Sequence, residues 1–594
     1  MEAATLKRLG VPVFAAFVVT FHLYLIFSAL VPNLVARPLH MAMALPWVFI
    51  LGVDGNRVVR WSGVVLCVMG IGGCLYIVHQ WEILDEQYGS LEGTFQFVLA
   101  GLLIVIVLEM ARRSIKLALP MVAVVALLYG MFGEYIPGEF GHPGLPFSSL
   151  FGTLIITEGG IWGQLTGVSV NVVAVFVILG AFVGAGEGGQ GFMSLATALA
   201  GRYRAGAAKV SVLSSAFFGS ISGSASANVA STGAITLPTM KRLGYPSSLA
   251  AAVEAVASSG GQIMFPLMGA GAFVMVELLR VRYTDIMQAA ILPATLFFVA
   301  VWVGVDMFAR RYALKPMKAE ELPDRKQLLT TVPFFVVPFG ILLTLLFASG
   351  VTPQYAAGIA IIAAALLLVI NAEGQVSLRR WGDRLSSGSV NAAKQIAAIA
   401  SIILCAGLVI GVLHMTGLGV KITSAIISLS GGNLWGALLL TALACLILGM
   451  EVPTTAAYVI CVSVAGPALQ ELGLPALQAH LFVFWYALLS TITPPVCGTV
   501  FIAAGMAGAP WVPVAGHAMR LGVGLYIVPL AFIANPALVH PEGGLGWALI
   551  AFAKIAAGLW LISRGLIGGD LAAYWRLVLL IFGGIVIFAG GIAG

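Results

Sequence analysis

Between two basic clusters, Arg202/Arg204/Lys209 and Lys241/Arg242, the chain is apolar except for a central block of small polar residues. The block reads Gly219-Ser-Ile-Ser222-Gly223-Ser224-Ala-Ser226-Ala227-Asn228-Val229-Ala-Ser231-Thr232-Gly233. In a membrane protein, basic clusters stay on the cytoplasmic side. A segment with both ends there cannot be a single crossing and has to dip in and return. Ala207 to Lys241 has the length for two half-helices with its tip near Ser222–Asn228. Hydrocarbon tolerates non-helical backbone only where protein buries it or where it lines a cavity. Such a tip leaves carbonyls and hydroxyls free to hold an ion or a substrate. Gly, Ala and Ser also line ordinary helix contacts, so the block alone leaves both readings open.

Composition fixes the solvent. Sixty per cent hydrophobic residues, 9% charged residues and a mean hydropathy of +1.04 describe an all-α polytopic membrane protein. The net charge of +6 is spread along loops instead of gathered on one face, which argues against nucleic acid as a partner and leaves membrane lipid as the surroundings. Cys67, Cys74, Cys405, Cys445, Cys461 and Cys497 sit in apolar runs without metal-ligand spacing and read as small buried hydrophobes. The basic start and long first apolar run read as a retained span with a cytoplasmic N-terminus.

Taken in order, residues 1–111 hold four spans (about 9–31, 39–53, 61–79 and 94–110) and end at the charged linker Arg112-Arg-Ser-Ile-Lys116. Residues 112–533 hold two repeats, about 117–309 and 328–533, and 534–594 add two further spans. His142 falls among turn residues and is expected at the surface. The stretches 148–166 and 419–430 read as helices lying along the membrane. After the first hairpin, Ser258-Ser259-Gly260-Gly261-Gln262-Ile-Met-Phe265-Pro266-Leu-Met-Gly269 interrupts a crossing helix, because proline frees a carbonyl one turn back. The second repeat shows the same order. Gly449-Met450-Glu451-Val452-Pro453-Thr454-Thr455 breaks a hairpin and Ser490-Thr491-Ile492-Thr493-Pro494-Pro495-Val496-Cys497-Gly498 breaks a span. Three crossings separate the repeats, so the second hairpin enters from the opposite face. About 15 spans with two re-entrant hairpins, two discontinuous helices and inverted topology point to a secondary transporter with its site near the midplane. Lys554, inside the penultimate span, is expected to snorkel or pack.

The string 219–233, followed by Met240-Lys-Arg-Leu-Gly-Tyr245 and Val253-Glu254-Ala-Val-Ala-Ser-Ser-Gly-Gly-Gln262-Ile-Met264, resembles the large membrane subunit of tripartite ATP-independent periplasmic (TRAP) transporters. The resemblance is to the type that fuses small and large subunits and works with a TAXI-type periplasmic binding protein. It departs at Phe265, where the family carries the first of two prolines. The resemblance implies an elevator-type transporter in the bacterial inner membrane. It would be driven by sodium ions as coupling ions, take up a small carboxylate, and have no organic cofactor and no ATPase subunit.

Carried over by position, the first sodium site draws on Ser222, Ser224 and Asn228 and on the carbonyls of Gly260, Ile263 and Phe265. The second draws on Gly449, Thr454, Ser490, Thr493 and Val496. Ser226, Thr455, Gly223, Pro453 and Glu451 are assigned to substrate. Sodium takes a shell of hard oxygens, and an anionic substrate suits half-helix N-termini. Glu254, Glu277 and Asp306 read as packing or interface acids. No nucleophile–base pair argues for an enzyme, and no Gly-rich phosphate loop argues for ATP drive. A proton-coupled organic-anion transporter of the same architecture is the alternative.

Overall fold

The computed structural model describes residues 2–28, 31–51, 56–115, 117–266, 268–450, 452–540, 544–569 and 571–591. Their regular structure is helical, apart from one antiparallel bridge between Ile370 and Val376. The solvent dictates this, since a helix satisfies its backbone N–H and C=O groups within its own segment. Among the described residues nine helices are long and apolar enough to cross a membrane, or ten if the bent pair Ala319–Thr331 and Pro333–Ala348 is one span. Hairpin arms and half-helices are shorter pieces that cross only in combination.

The first hairpin pairs Gly206–Ser222 with Ala225–Arg242. Gly223 ends the first arm at φ +61°, and Ser224 caps the return helix, its Oγ accepting from Ala227 N at 3.3 Å. The second hairpin pairs Leu434–Gly449 with Thr454–Glu471. Each is followed by a broken span: Ser247–Gly260 with Gly269–Leu279, and Ala476–Leu489 with Gly498–Ala507.

One offset relates the two sets. The return arms both have 18 residues and start 229 positions apart (454 minus 225). Adding 229 also carries Ser247–Gly260 onto Ala476–Leu489 and Gly269 onto Gly498. It carries Pro238 onto Pro467 inside the arms, and Leu243-Gly244-Tyr245-Pro246 onto Leu472-Gly473-Leu474-Pro475 between arm and span. Gly244 and Gly473 sit at φ +85° and +91°, where a Cβ costs about 1–2 kcal/mol. The cis peptides Phe265–Pro266 and Pro494–Pro495 obey the offset too. Ser224 corresponds to Pro453, and both are N-caps.

Ser247–Gly260 packs against Gly498–Ala507, while Gly269–Leu279 packs against Thr454–Glu471 and Ala476–Leu489. First half against second half is the pairing of two antiparallel broken spans. Tyr283–Arg311 and Val523–Ala534 close around them and complete a core. Outside it, the 39-residue helix Leu378–Thr416 is a mast for Glu2–Ser28, Asn33–Phe49, Gly93–Ile115, Ala118–Phe132 and Ala174–Ala185. That mast begins at Leu378, capped by Ser377, and takes Arg379, Arg380 and Arg384 onto a helical surface. Leu545–Ile567 packs on Ala573–Phe588 and on Tyr283–Arg311.

Of the two in-plane stretches, Leu418–Leu429 is one helix, whereas Phe147–Ile155 is short and Gln164 already starts the next span. His142 is buried and not at the surface. Its Nε2 meets Tyr129 O at 3.0 Å and Nδ1 accepts from Gly144 N at 3.1 Å, which pins the loop onto the helix below. Lys554 Nζ donates to Asn535 Oδ1 at 2.9 Å and Gly590 O at 2.8 Å, tying the C-terminal pair to the core. All six cysteines are buried and free.

Candidate functional site

At the first break two backbones touch. A Cβ on Gly219 would lie 2.5 Å from Gly261 Cα, and one on Gly261 would lie 2.7 Å from Gly219 Cα. Only glycine at both positions lets the hairpin arm and the broken span approach this closely. Asn228 is fully buried beside them, its Nδ2 donating to Ser215 O at 2.8 Å and Ser258 O at 3.4 Å. Two carbonyls accept only from a nitrogen, so they set the amide's orientation and leave Oδ1 as the acceptor on the other side. Ser222 Oγ reaches across the tip to Ser224 O at 3.4 Å, and Gly223 rests on Gly269 at the start of the second half-helix.

The second break is built differently. Ser490 Oγ lies 2.8 Å from Gly449 O and 2.7 Å from Ala487 O, joining hairpin to broken span through a hydroxyl. Thr493 Oγ1 meets Leu489 O and Tyr526 OH, both at 2.8 Å, so its hydroxyl is held by Val523–Ala534. Thr454 opens the return arm and is buried. Pro494 and Pro495 supply no N–H to the turn above them.

The two breaks meet at hydroxyls. Ser259 Oγ lies 2.8 Å from Thr491 Oγ1 and 3.2 Å from Thr499 Oγ1, and Thr499 Oγ1 donates to Thr491 O at 2.7 Å. Asn228 with its glycine neighbours thus forms one group, Gly449 with Ser490 a second, and Ser259, Thr491 and Thr499 stand between them.

Other expected residues fall outside this cluster or at its edge. Gly260 is packed against Phe297, whose Cε1 lies 1.9 Å from where a Cβ would be. Ile263 is buried in the turn Gly261–Ile263, and Phe265 and Val496 are partly exposed. Ser226 is exposed on the return arm, and Thr455 and Pro453 are partly exposed at the second tip. Glu451 lies outside the described residues. The sequence reading did not assign Ser215, Ser258, Ser259, Thr491, Thr499 or Tyr526. Several stand in the polar strings around the breaks, which was the available signal.

Glu254, expected to be a packing or interface acid, is enclosed by hydroxyls. Its side chain is fully buried and receives hydroxyls from three helices: Ser211 at 2.7 Å, Ser215 and Ser258 at 3.2 Å, and Thr232 and Thr236 at short range. The donor set at both breaks is amide, hydroxyl and carbonyl oxygen, which suits a hard monovalent cation. Among the described residues no three His, Cys, Asp or Glu side chains group as a transition-metal site would require.

The family described as "Tripartite ATP-independent periplasmic transporter, DctM component" matches residues 102–541. The chain is 26% identical over 370 residues to the C4-dicarboxylate TRAP transporter large permease protein DctM of Pseudomonas aeruginosa, covering 60% of this chain and 81% of that protein. It is 23% identical over 346 residues to the isethionate TRAP transporter permease protein DctMQ of Oleidesulfovibrio alaskensis, covering 57% and 52%. An uncharacterised protein of Sinorhizobium fredii, y4mL, is 25% identical over 362 residues, covering 60% and 84%.

Proposed function

Because the chain belongs to the DctM-component family of tripartite ATP-independent periplasmic transporters, a family of permeases and not of enzymes, we propose that it imports a small organic carboxylate using a sodium gradient. Permeases of this family work with a periplasmic substrate-binding protein, and for this chain we take a TAXI-type protein as the partner. Residues 1–111 serve as the small-subunit-like part of a fusion in the bacterial inner membrane, with the N-terminus cytoplasmic. The core carries the site across by an elevator movement.

The observation that carries this reading is the meeting of the two breaks at Ser259, Thr491 and Thr499. Two oppositely paired broken spans hold their polar turns together in the middle of an apolar core. There neutral oxygens replace the hydration shell of a cation without fixing a charge. The chemistry of the two named relatives, a dicarboxylate and a sulfonate, supports a small organic anion as substrate. Half-helix N-termini at Ser224 and Pro453 suit its negative group.

Reconstitution of the full chain in liposomes with candidate TAXI-type proteins, each loaded with a labelled carboxylate, tests the reading. Uptake is expected to require both the binding protein and an inward sodium gradient. Uptake driven equally by a proton gradient in sodium-free buffer would replace sodium as the coupling ion. Uptake without any binding protein would remove the partner.

A further inference from the structure

The acid at position 254 has no equivalent in the second repeat. Adding 229 turns Glu254 into Val483, Thr232 into Cys461, Thr236 into Ala465 and Ser258 into Ala487, all buried. The same helices therefore pack around the second break with apolar side chains where the first repeat packs a carboxylate and hydroxyls. Helix packing does not require the polar set, and replacing a buried charged group by apolar neighbours is often neutral or stabilising. Among the described residues no Lys, Arg or His forms an ion pair with Glu254. Lys209 on the first arm pairs with Asp306, and Lys241 on the return arm donates to Ala507 O.

Thr232 Oγ1 carries one proton and has four acceptors in reach: Glu254 Oε1, Asn228 O at 2.8 Å, Ser215 Oγ at 3.1 Å and Asn228 Oδ1 at 3.3 Å. A carboxylate oxygen is the strongest of the four. It takes the proton, and Asn228 Oδ1 keeps its lone pairs. Ser215 and Ser258 also send their hydroxyls to Glu254 while their carbonyls hold Asn228 Nδ2. We infer that Glu254 is a positioning residue for the first cation site, holding the Thr232 hydroxyl proton off Asn228 Oδ1 so that this oxygen faces the coupling cation. This rests on the sodium reading given above.

The test is sodium-dependent thermal unfolding of the purified full chain, with choline chloride as the control salt. Wild type is stabilised by sodium. Glu254→Gln places an N–H donor among the hydroxyls, turns the Thr232 proton back to Asn228 and raises the half-saturating sodium concentration about tenfold, roughly one charge-assisted hydrogen bond. Thr232→Val in that background removes the rival proton and lowers the concentration again, which a merely structural loss would not do. Thr232→Val alone, a mild change that keeps the fold accessible if Glu254→Gln does not fold, leaves sodium binding unchanged or tighter. An unchanged Glu254→Gln, a double variant no better than the single, or a Thr232→Val that itself weakens sodium binding would each overturn the inference and leave the sodium reading standing. A wild type indifferent to sodium would overturn both.

Discussion

A methyl group at position 449 would lie 2.5 Å from Ser490 Oγ and 2.8 Å from its Cβ. Real contacts are never that close, so Gly449→Ala has to push the Ser490 hydroxyl off the Gly449 carbonyl. Overpacking of this kind costs about 1–3 kcal/mol, and it displaces a hydroxyl of the second group directly. Gly449→Ala is expected to lower the melting temperature in detergent and to weaken sodium-dependent uptake. Ser490→Ala, which removes the hydroxyl without crowding, is expected to weaken sodium dependence with less loss of stability. Equal sodium titrations in wild type and both variants would take this pair out of the site. The sequence reading proposed Gly449, Ser490 and Asn228 because polar and small residues stand out in an apolar run. It misjudged His142, and it did not see the hydroxyls around Glu254, because both environments depend on what other helices bring to them. A loop histidine cannot be known as buried until Tyr129 and Gly144 close around it. Likewise an acid cannot be known as caged until three helices deliver hydroxyls.

At the scale of elements, the bond between Ser259 and Thr491 joins the two broken spans across 232 residues. Ser259 is fully buried and Thr491 partly so, and a made hydrogen bond is worth about 0.5–1.5 kcal/mol net. A double-mutant cycle with Ser259→Ala and Thr491→Val, read by unfolding, is expected to give a coupling energy of about that size. Additive losses would mean that the breaks do not support one another. Hairpin-then-break order was legible from polar strings, but the register was not. It is carried by Leu-Gly-x-Pro turns and by Pro238 and Pro467, residues with a backbone job and no chemistry to attract notice. Gly473→Ala places a Cβ at φ +91° in open space, so its cost is conformational alone, about 1–2 kcal/mol. A melting temperature unchanged by it would show that this turn does not define the repeat.

For the molecule as a whole, what holds the core together differs from what holds it to its surroundings. Inside the core the breaks are tied by directed hydrogen bonds at Asn228, Ser259, Ser490 and Thr493. Against the surrounding helices two of the contacts are flat aromatic faces. Phe176 stacks on Phe273 at 4.1 Å and 16°, and Phe217 stacks on Phe335 at 6.2 Å and 25°, with Gln164 donating to Glu277 at one edge. Stacked rings gain most of their energy from buried area and little from one fixed direction. Such a boundary can slide with small loss, whereas a hydrogen-bonded one cannot. If the core moves as a body, a short thiol crosslink between Phe176→Cys and Phe273→Cys is expected to arrest uptake in proteoliposomes. The same reagent bridging Phe27→Cys and Tyr355→Cys, whose rings meet at 5.7 Å on two helices outside the core, is expected to leave uptake intact. Reagent alone on wild type, with its six native cysteines, is the control. Full uptake through a crosslinked 176–273 pair would mean that substrate crosses without the core leaving its neighbour, and the elevator would have to give way to a local opening of the two hairpin tips.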